Sequence, residues 1–257
     1  ELTRSDPWFL AKIAGVMERE RELAAAAGPG GPGRERELLA RAKRAGFSDA
    51  RLGELAGTTE SAVRALRERL GLRPAFKRID SLAAEFPART NYLYATYHGE
   101  ESDLGPSESG VMVLGSGAYR IGSSVEFDWC CVGAVQALRK LGRTSIMVNC
   151  NPETVSTDYD VCDRLYFEEL SLERVLDIYE FERPSGLVLS MGGQIPNNLA
   201  MGLFRAGAVI LGTDARDIDR AEDRHKFSEL LQSLGIEQPA WKELSDLGSA
   251  LEFAEEV

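Results

Sequence analysis

Between residues 111 and 211 the chain alternates five short apolar runs with helical patterns, and that alternation restricts its fold more than any other feature. The runs occupy 111–114, 145–148, 164–167, 187–189 and 209–211, and helical periodicity over 125–141, 172–181 and 196–205 separates most of them. Short continuous apolar runs suit strands buried on both faces, and strand–helix–strand order calls for parallel pairing with right-handed crossovers. The expected fold class is therefore α/β, a doubly wound, Rossmann-like parallel sheet. In such sheets the functional crevice lies at the carboxyl ends of the strands, so the loops leaving those ends are the ones to inspect.

The first third of the chain reads differently. Residues 1–80 carry 16 Lys and Arg against 12 Asp and Glu, a balance of +4, whereas the remainder stands at −15. Trp8, Phe9, Ile13 and Val16 recur at helical spacing behind Asp6 and Pro7, a cap followed by a proline at the first helical position. The Gly/Pro-rich segment 28–33 reads as a flexible connector, neither helix nor strand. Leu38, Leu39 and Ala42 then mark a second helix ending near Gly46. Ser48 or Asp49 caps a third with Leu52 and Leu55, and Thr58 or Thr59 caps a fourth with Val63, Leu66 and Leu70. The last two resemble a helix-turn-helix, and Arg64, Arg67 and Arg69 are of a type that contacts phosphates. No basic arm or aromatic reader accompanies them, which favours a small bundle with a solvated basic face. Residues 78–97 are apolar and aromatic and suggest an extended stretch. The polar segment 100–109 is the candidate domain boundary.

The net charge of −11 argues against general binding to nucleic acid or anionic membranes. No apolar run approaches the roughly 20 residues of a bilayer span. Cys130, Cys131, Cys150 and Cys162 form no Cys-x-x-Cys pair, and the two histidines, His98 and His225, lie far from them, so no metal site is expected. Buried free thiols in a reducing compartment are the expectation. A first residue that is not Met, and a helical pattern running into Val257, suggest a piece of a longer chain.

Three loops follow strand ends. The first holds Gly115, Gly117 and Gly122 before a helix, the arrangement of an anion cradle. Its G-x-G-x-x-x-x-G spacing is two residues too long for a dinucleotide fingerprint, and no Gly-Lys-Ser/Thr follows to make a P-loop. The second, with Asn149, Asn151, Glu153 and Thr154, is dense in side-chain donors and acceptors fit for a polar crevice wall. The third holds Gly192, Gly193 and Gln194 at a helix start. Glu126 and Glu153 read equally well as an acid/base pair or as structural carboxylates, and Arg120 stands close enough in sequence to keep Glu126 charged.

Longer blocks are more specific. Residues 115–129 (GSGAYRIGSSVEFDW) and 148–158 (VNCNPETVSTD) are followed in order by 163–168 (DRLYFE), 192–198 (GGQIPNN) and 218–224 (IDRAEDR). Together with 46–49 (GFSD), 83–85 (AAE) and 91–94 (NYLY), they resemble carbamoyl phosphate synthetase. The likeness is to the large component of the animal-type enzymes, where its second half begins. The resemblance implies a helical oligomerisation domain over 1–108, a pre-ATP-grasp α/β domain over 109–222, and the start of an ATP-grasp domain over 223–257. It implies a ligase that makes carbamoyl phosphate from bicarbonate, ammonia and two ATP, with carbamate passing through an internal tunnel to the second phosphorylation site. By position in the family pattern, Arg120, Glu126 and Glu153 would line that tunnel, and no catalytic residue would lie in this stretch. ATP and Mg²⁺ would be bound by the ATP-grasp domain beyond it, so the chain by itself is predicted inactive. Implied partners are the remaining synthetase domains, a glutamine amidotransferase domain or subunit, and a second copy of the chain. The implied compartment is the cytoplasm, with the mitochondrion as alternative. The competing reading is a helix-turn-helix joined to a Rossmann-like ligand-binding module. A nicotinamide oxidoreductase is disfavoured by the glycine spacing.

Overall fold

The computed structural model describes residues 4–26, 32–118 and 125–256. Four helices come first: α1 (Pro7–Ala26), α2 (Pro32–Arg44), α3 (Asp49–Ala56) and α4 (Glu60–Arg69). Asp6 accepts from the Trp8 N–H at 2.8 Å, with Pro7 at the first helical position. Ser48 and Thr59 are the caps of α3 and α4, accepting from Arg51 and Ala62. Their core is Leu39, Ala40, Ala42, Phe47, Leu52, Val63 and Leu72. Of the expected connector over 28–33, Pro32 and Gly33 belong to the first turn of α2. Proline loses nothing there, since its missing N–H would have no helical partner. Residues 28–31 lie outside the described residues.

The sheet has seven strands among the described residues, β1 (Ala75–Arg78), β2 (Tyr92–Thr96), β3 (Val111–Leu114), β4 (Ser145–Asn149), β5 (Arg164–Phe167), β6 (Gly186–Val188) and β7 (Ile210–Leu211). Their order is β1-β2-β5-β4-β3-β6-β7, all pairs parallel except the edge pair β1–β2. Helices α5 (Val125–Lys140), α6 (Leu172–Glu182) and α7 (Gln194–Arg205) follow β3, β5 and β6, while α8 (Ala215–Glu222), α9 (Arg224–Ser233) and α10 (Leu247–Glu256) end the chain. Alternation along the strands divides the core between two faces. Met112, Leu114, Ile146, Val148 and Tyr166 pack with Val175 and Ile178 of α6 and Leu203 of α7, whereas Val113, Met147 and Leu165 pack with Cys131, Val132 and Val135 of α5. The doubly wound parallel sheet expected from the alternation is thus present. No helix among the described residues is long and apolar enough to cross a membrane.

Two strands of the sheet, β1 and β2, precede the expected boundary at 108/109. Tyr92 and Leu93 pair with Leu165 and Tyr166 of β5, and the 75–96 segment packs Phe76 and Leu93 into the main core. Contrary to expectation, the basic face of α4 is not solvated. Arg67 is fully buried, and its guanidinium donates to Asp49 (3.0 Å), to the Leu72 carbonyl (3.2 Å) and to Asp177 of α6 (2.9 Å). Arg64 donates to the same Asp177 oxygen at 2.8 Å. Lys43, also buried, donates to Asp49 at 2.9 Å and to Glu173 of α6 at 2.6 Å. These charges fasten the helical unit to α6, which removes the phosphate-reading role from Arg64 and Arg67; Arg69 stays exposed.

Candidate functional site

The strand order reverses at β3, whose neighbours are β4 on one side and β6 on the other. Loops leaving β3 and β6 diverge there, and that switch point is where an open α/β sheet forms its crevice. The three loops singled out in the sequence come together at this end. Their packing is closer than a ligand cradle requires.

Asn149 is the centre. It ends β4 with no exposure, and its side chain uses all four hydrogen-bonding positions. Oδ1 accepts from the Gly117 and Cys150 N–H groups at 3.0 and 2.9 Å, and Nδ2 donates to Thr154 Oγ1 and Ser156 Oγ at 3.3 and 3.1 Å. Its role is structural: it ties the first loop to the second instead of offering donors to a crevice. A Cβ on Gly115 would stand 2.5 Å from Asn149 Cγ, so the glycine is required by this approach. The Gly115 N–H is spent on the Val148 carbonyl at 2.8 Å. The N–H groups of Gly115 and Gly117 are therefore both occupied, and these two residues are not an anion cradle. Gly122 and Arg120 lie outside the described residues.

Within the second loop, Asn151 Oδ1 accepts from the Glu153 N–H at 3.0 Å, and its carbonyl accepts from Thr154 and Thr157 hydroxyls at 2.7 and 3.0 Å. This turn fixes the short 3₁₀ segment Val155–Thr157, whose Ser156 N–H donates to Asp128 of α5 at 3.3 Å. In the third loop Gly193 precedes α7 with φ of 79°, and a Cβ there would stand 2.9 Å from the Phe127 ring. Gln194 donates along its own helix, to Asn198 Oδ1 at 2.9 Å.

Glu126 lies in the first turn of α5 and Glu153 in the loop after β4, and both are exposed. Glu126 stands two residues before Asp128 and Glu153 three before Ser156, and the Ser156–Asp128 bond joins their two segments at one end of the sheet. No hydrogen bond joins one to the other among the described residues. Two polar atoms that sequence reasoning passed over lie between these elements. Asp128 Oδ1 and Ser116 Oγ are buried without hydrogen-bond partners among the described residues. An acidic residue two positions after Glu126 in a helix's first turn was the available sign for Asp128.

The thiols depart from expectation in half the cases: Cys131 and Cys162 are buried, while Cys130 and Cys150 are exposed. Burial pushes the Cys131 thiol up to about 12, with Asp128 adding to the effect, and burial also raises Cys150. Neither offers a thiolate nucleophile near these loops at neutral pH.

Comparison with known proteins now adds to this geometry. Residues 107–220 match the model of the carbamoyl phosphate synthase preATP-grasp domain, and residues 1–71 that of the carbamoyl-phosphate synthetase large chain oligomerisation domain. The chain is 55% identical over 257 residues to the arginine-specific large chain, mitochondrial, of Schizosaccharomyces pombe, covering all of this chain and 22% of that one. It is 54% identical to the multifunctional protein CAD of Squalus acanthias, covering all of this chain and 11% of the relative. To the human mitochondrial carbamoyl-phosphate synthase [ammonia] it is 51% identical, covering all of this chain and 17% of the relative. The chain thus spans about a fifth or less of the length of these relatives.

Proposed function

Because this chain belongs to the carbamoyl phosphate synthase large-chain family, we propose that it serves an enzyme making carbamoyl phosphate from bicarbonate, ammonia and two ATP. Its part is to supply the oligomerisation unit and one wall of the conduit that delivers carbamate to the second phosphorylation. One observation carries the reading: the whole chain matches 22% of a large chain at 55% identity over 257 residues.

Carbamate is a labile anion, so its route must exclude bulk water and nucleophiles. The loops at the switch point suit that task. Asn149, Thr154 and Ser156 satisfy one another internally, and burial raises the pKa of the Cys131 and Cys150 thiols. In this reading Glu126 and Glu153, with Arg120, set the charge along the rim and keep carbamate from binding too tightly. ATP and Mg²⁺ are held by the enzyme's ATP-grasp domain, and the amides of Gly115 and Gly117, both already hydrogen-bonded, are not offered to a phosphate. The remaining synthetase domains are the partners, and a glutamine amidotransferase domain or subunit supplies ammonia. The fission-yeast and human relatives are named as mitochondrial, which weighs toward that compartment over the cytoplasm.

Two outcomes test the reading. Purified by itself, the chain is expected to fold and to show no bicarbonate-dependent ATP hydrolysis, and measurable turnover would contradict the assignment of catalysis elsewhere. In the complete enzyme, Glu126→Ala is expected to slow carbamoyl phosphate formation roughly tenfold while bicarbonate-dependent ATP hydrolysis stays within about twofold. Equal loss of both rates would overturn the conduit role.

A further inference from the structure

We propose that the cleft between α2 and the end of β2 binds a small phosphate-bearing anion, a site separate from the switch-point loops and independent of the function proposed above. The cleft has a volume of about 300 Å³ and lies where the helical unit meets the sheet. Arg36, Ala40 and Arg44 line it from α2. Spaced four residues apart, they fall on one stripe of that helix. Ala40 is buried at the floor between the two arginines, so its small side chain leaves the space open. Arg73, from the loop after α4, contributes a third guanidinium, and Tyr97 and Glu100, from the chain just after β2, complete the wall.

The charge is unusual for this chain. Acidic residues outnumber basic ones 41 to 30, and Arg41, Arg51, Arg64 and Arg67 of the helical unit are paired with carboxylates; Arg19, Arg21, Arg34 and Arg69 form no ion pair among the described residues, and what sets the cleft apart is that three unpaired arginines line one cavity. Among the described residues Arg36, Arg44 and Arg73 form no ion pair. Arg36 Nε donates to the Leu70 carbonyl at 3.2 Å, which fixes its plane and leaves both Nη groups free. The His98 ring nitrogen lies 3.2 Å from the Arg44 carbonyl and so fastens the end of α2 to the chain after β2. Three guanidinium groups face one carboxylate, Glu100, which selects a ligand carrying at least two negative charges.

Guanidinium forks match phosphate oxygens in pairs, and a cleft of this size takes a diphosphate or a small phosphorylated metabolite rather than a polymer. The strongly acidic remainder of the chain also repels a nucleic acid. Since the cleft is lined from both units, an occupant would bridge them.

The test is calorimetric titration of the chain with inorganic pyrophosphate at about 150 mM salt, where non-specific surface attraction is largely screened. Saturable one-to-one binding is expected. Arg44→Ala with Arg73→Ala should weaken it at least ~10-fold, as loss of charge-assisted contacts does. Arg41→Ala with Arg216→Ala, a pair of exposed arginines elsewhere, should leave it unchanged. Absence of saturable binding would overturn the proposal. So would equal weakening by both double variants, or equally tight binding of citrate, which would mark a general anion surface. All four positions are exposed, so the variants fold and the comparison stays interpretable.

Discussion

Arg67→Ala is expected to lower the unfolding free energy by about 3–5 kcal/mol, the cost of breaking a buried ion pair from one side. Arg67 has no exposure and holds two carboxylates, Asp49 of α3 and Asp177 of α6, that are themselves buried. Burial by itself would depress its pKa, yet Asp177, Tyr97 and Asp49 raise it well above the usual arginine range. The charge is thus held by its surroundings. Removing it leaves Asp49 to Lys43 alone and Asp177 chiefly to Arg64, and strips the Leu72 carbonyl of its donor. Urea denaturation followed by circular dichroism reads the loss. A second consequence follows from where the network lies. Because it fastens α2, α3 and α4 to α6, the variant should unfold in two steps, the helical unit first, where the native chain unfolds in one. The exposed Arg51–Glu54 pair is the contrast, and Arg51→Ala should cost far less than Arg67→Ala, because water screens an exposed pair. A loss at Arg67 no greater than at Arg51 would mean that water reaches the network and that the two units are only loosely joined.

Local signals and distant ones explain what could be read from the sequence. Strands β3 and β4 were legible because a run such as Val111–Leu114, buried at every position, has one reasonable fate between helical patterns. Strand β1 was not, since Ala75–Arg78 ends in two charged residues and owes its conformation to pairing with β2, some fifteen residues on. The caps were legible to within one residue, but choosing Ser48 over Asp49 required knowing that Asp49 meets Lys43 and Arg67. Arg67 itself reads as a surface residue, because the carboxylate that buries it is 110 residues away. At the switch point residue type alone does not reveal what a side chain does. Asn149 looks like a donor awaiting a ligand, yet Thr154 and Ser156 fold back to consume its amide. The role proposed for Glu126 and Glu153 rests only on the family pattern, since two exposed carboxylates have no distinguishing spacing.

Gly192→Ala is expected to be the most damaging substitution at the switch point, and the reason is distance alone. Gly192 is not among the residues of positive φ, so alanine meets no intrinsic backbone strain there. Its Cβ, however, would stand 2.4 Å from the Gly115 carbonyl oxygen and 2.6 Å from that of Leu114. Both are main-chain atoms at the exit of β3, which cannot swing aside as a side chain can. The clash forces the β3 and β6 loops apart, and overpacking of a close-packed site costs about 3 kcal/mol or more when backbone must move. Two other glycines separate this cause from conformational strain. Gly207, with φ of 84° and nothing within 4 Å of a Cβ, isolates the strain, and Gly207→Ala should cost only about 1 kcal/mol. Gly193 combines φ of 79° with a Phe127 ring at 2.9 Å, and Gly193→Ala should fall between the two because the ring can shift. The expected order of destabilisation in urea is therefore Gly192, Gly193, Gly207. If Gly192→Ala proved no costlier than Gly207→Ala, the β3 and β6 loops would not be in main-chain contact. The wall proposed to guide carbamate would then lack the rigid backing that keeps Glu126 and Glu153 at one end of the sheet.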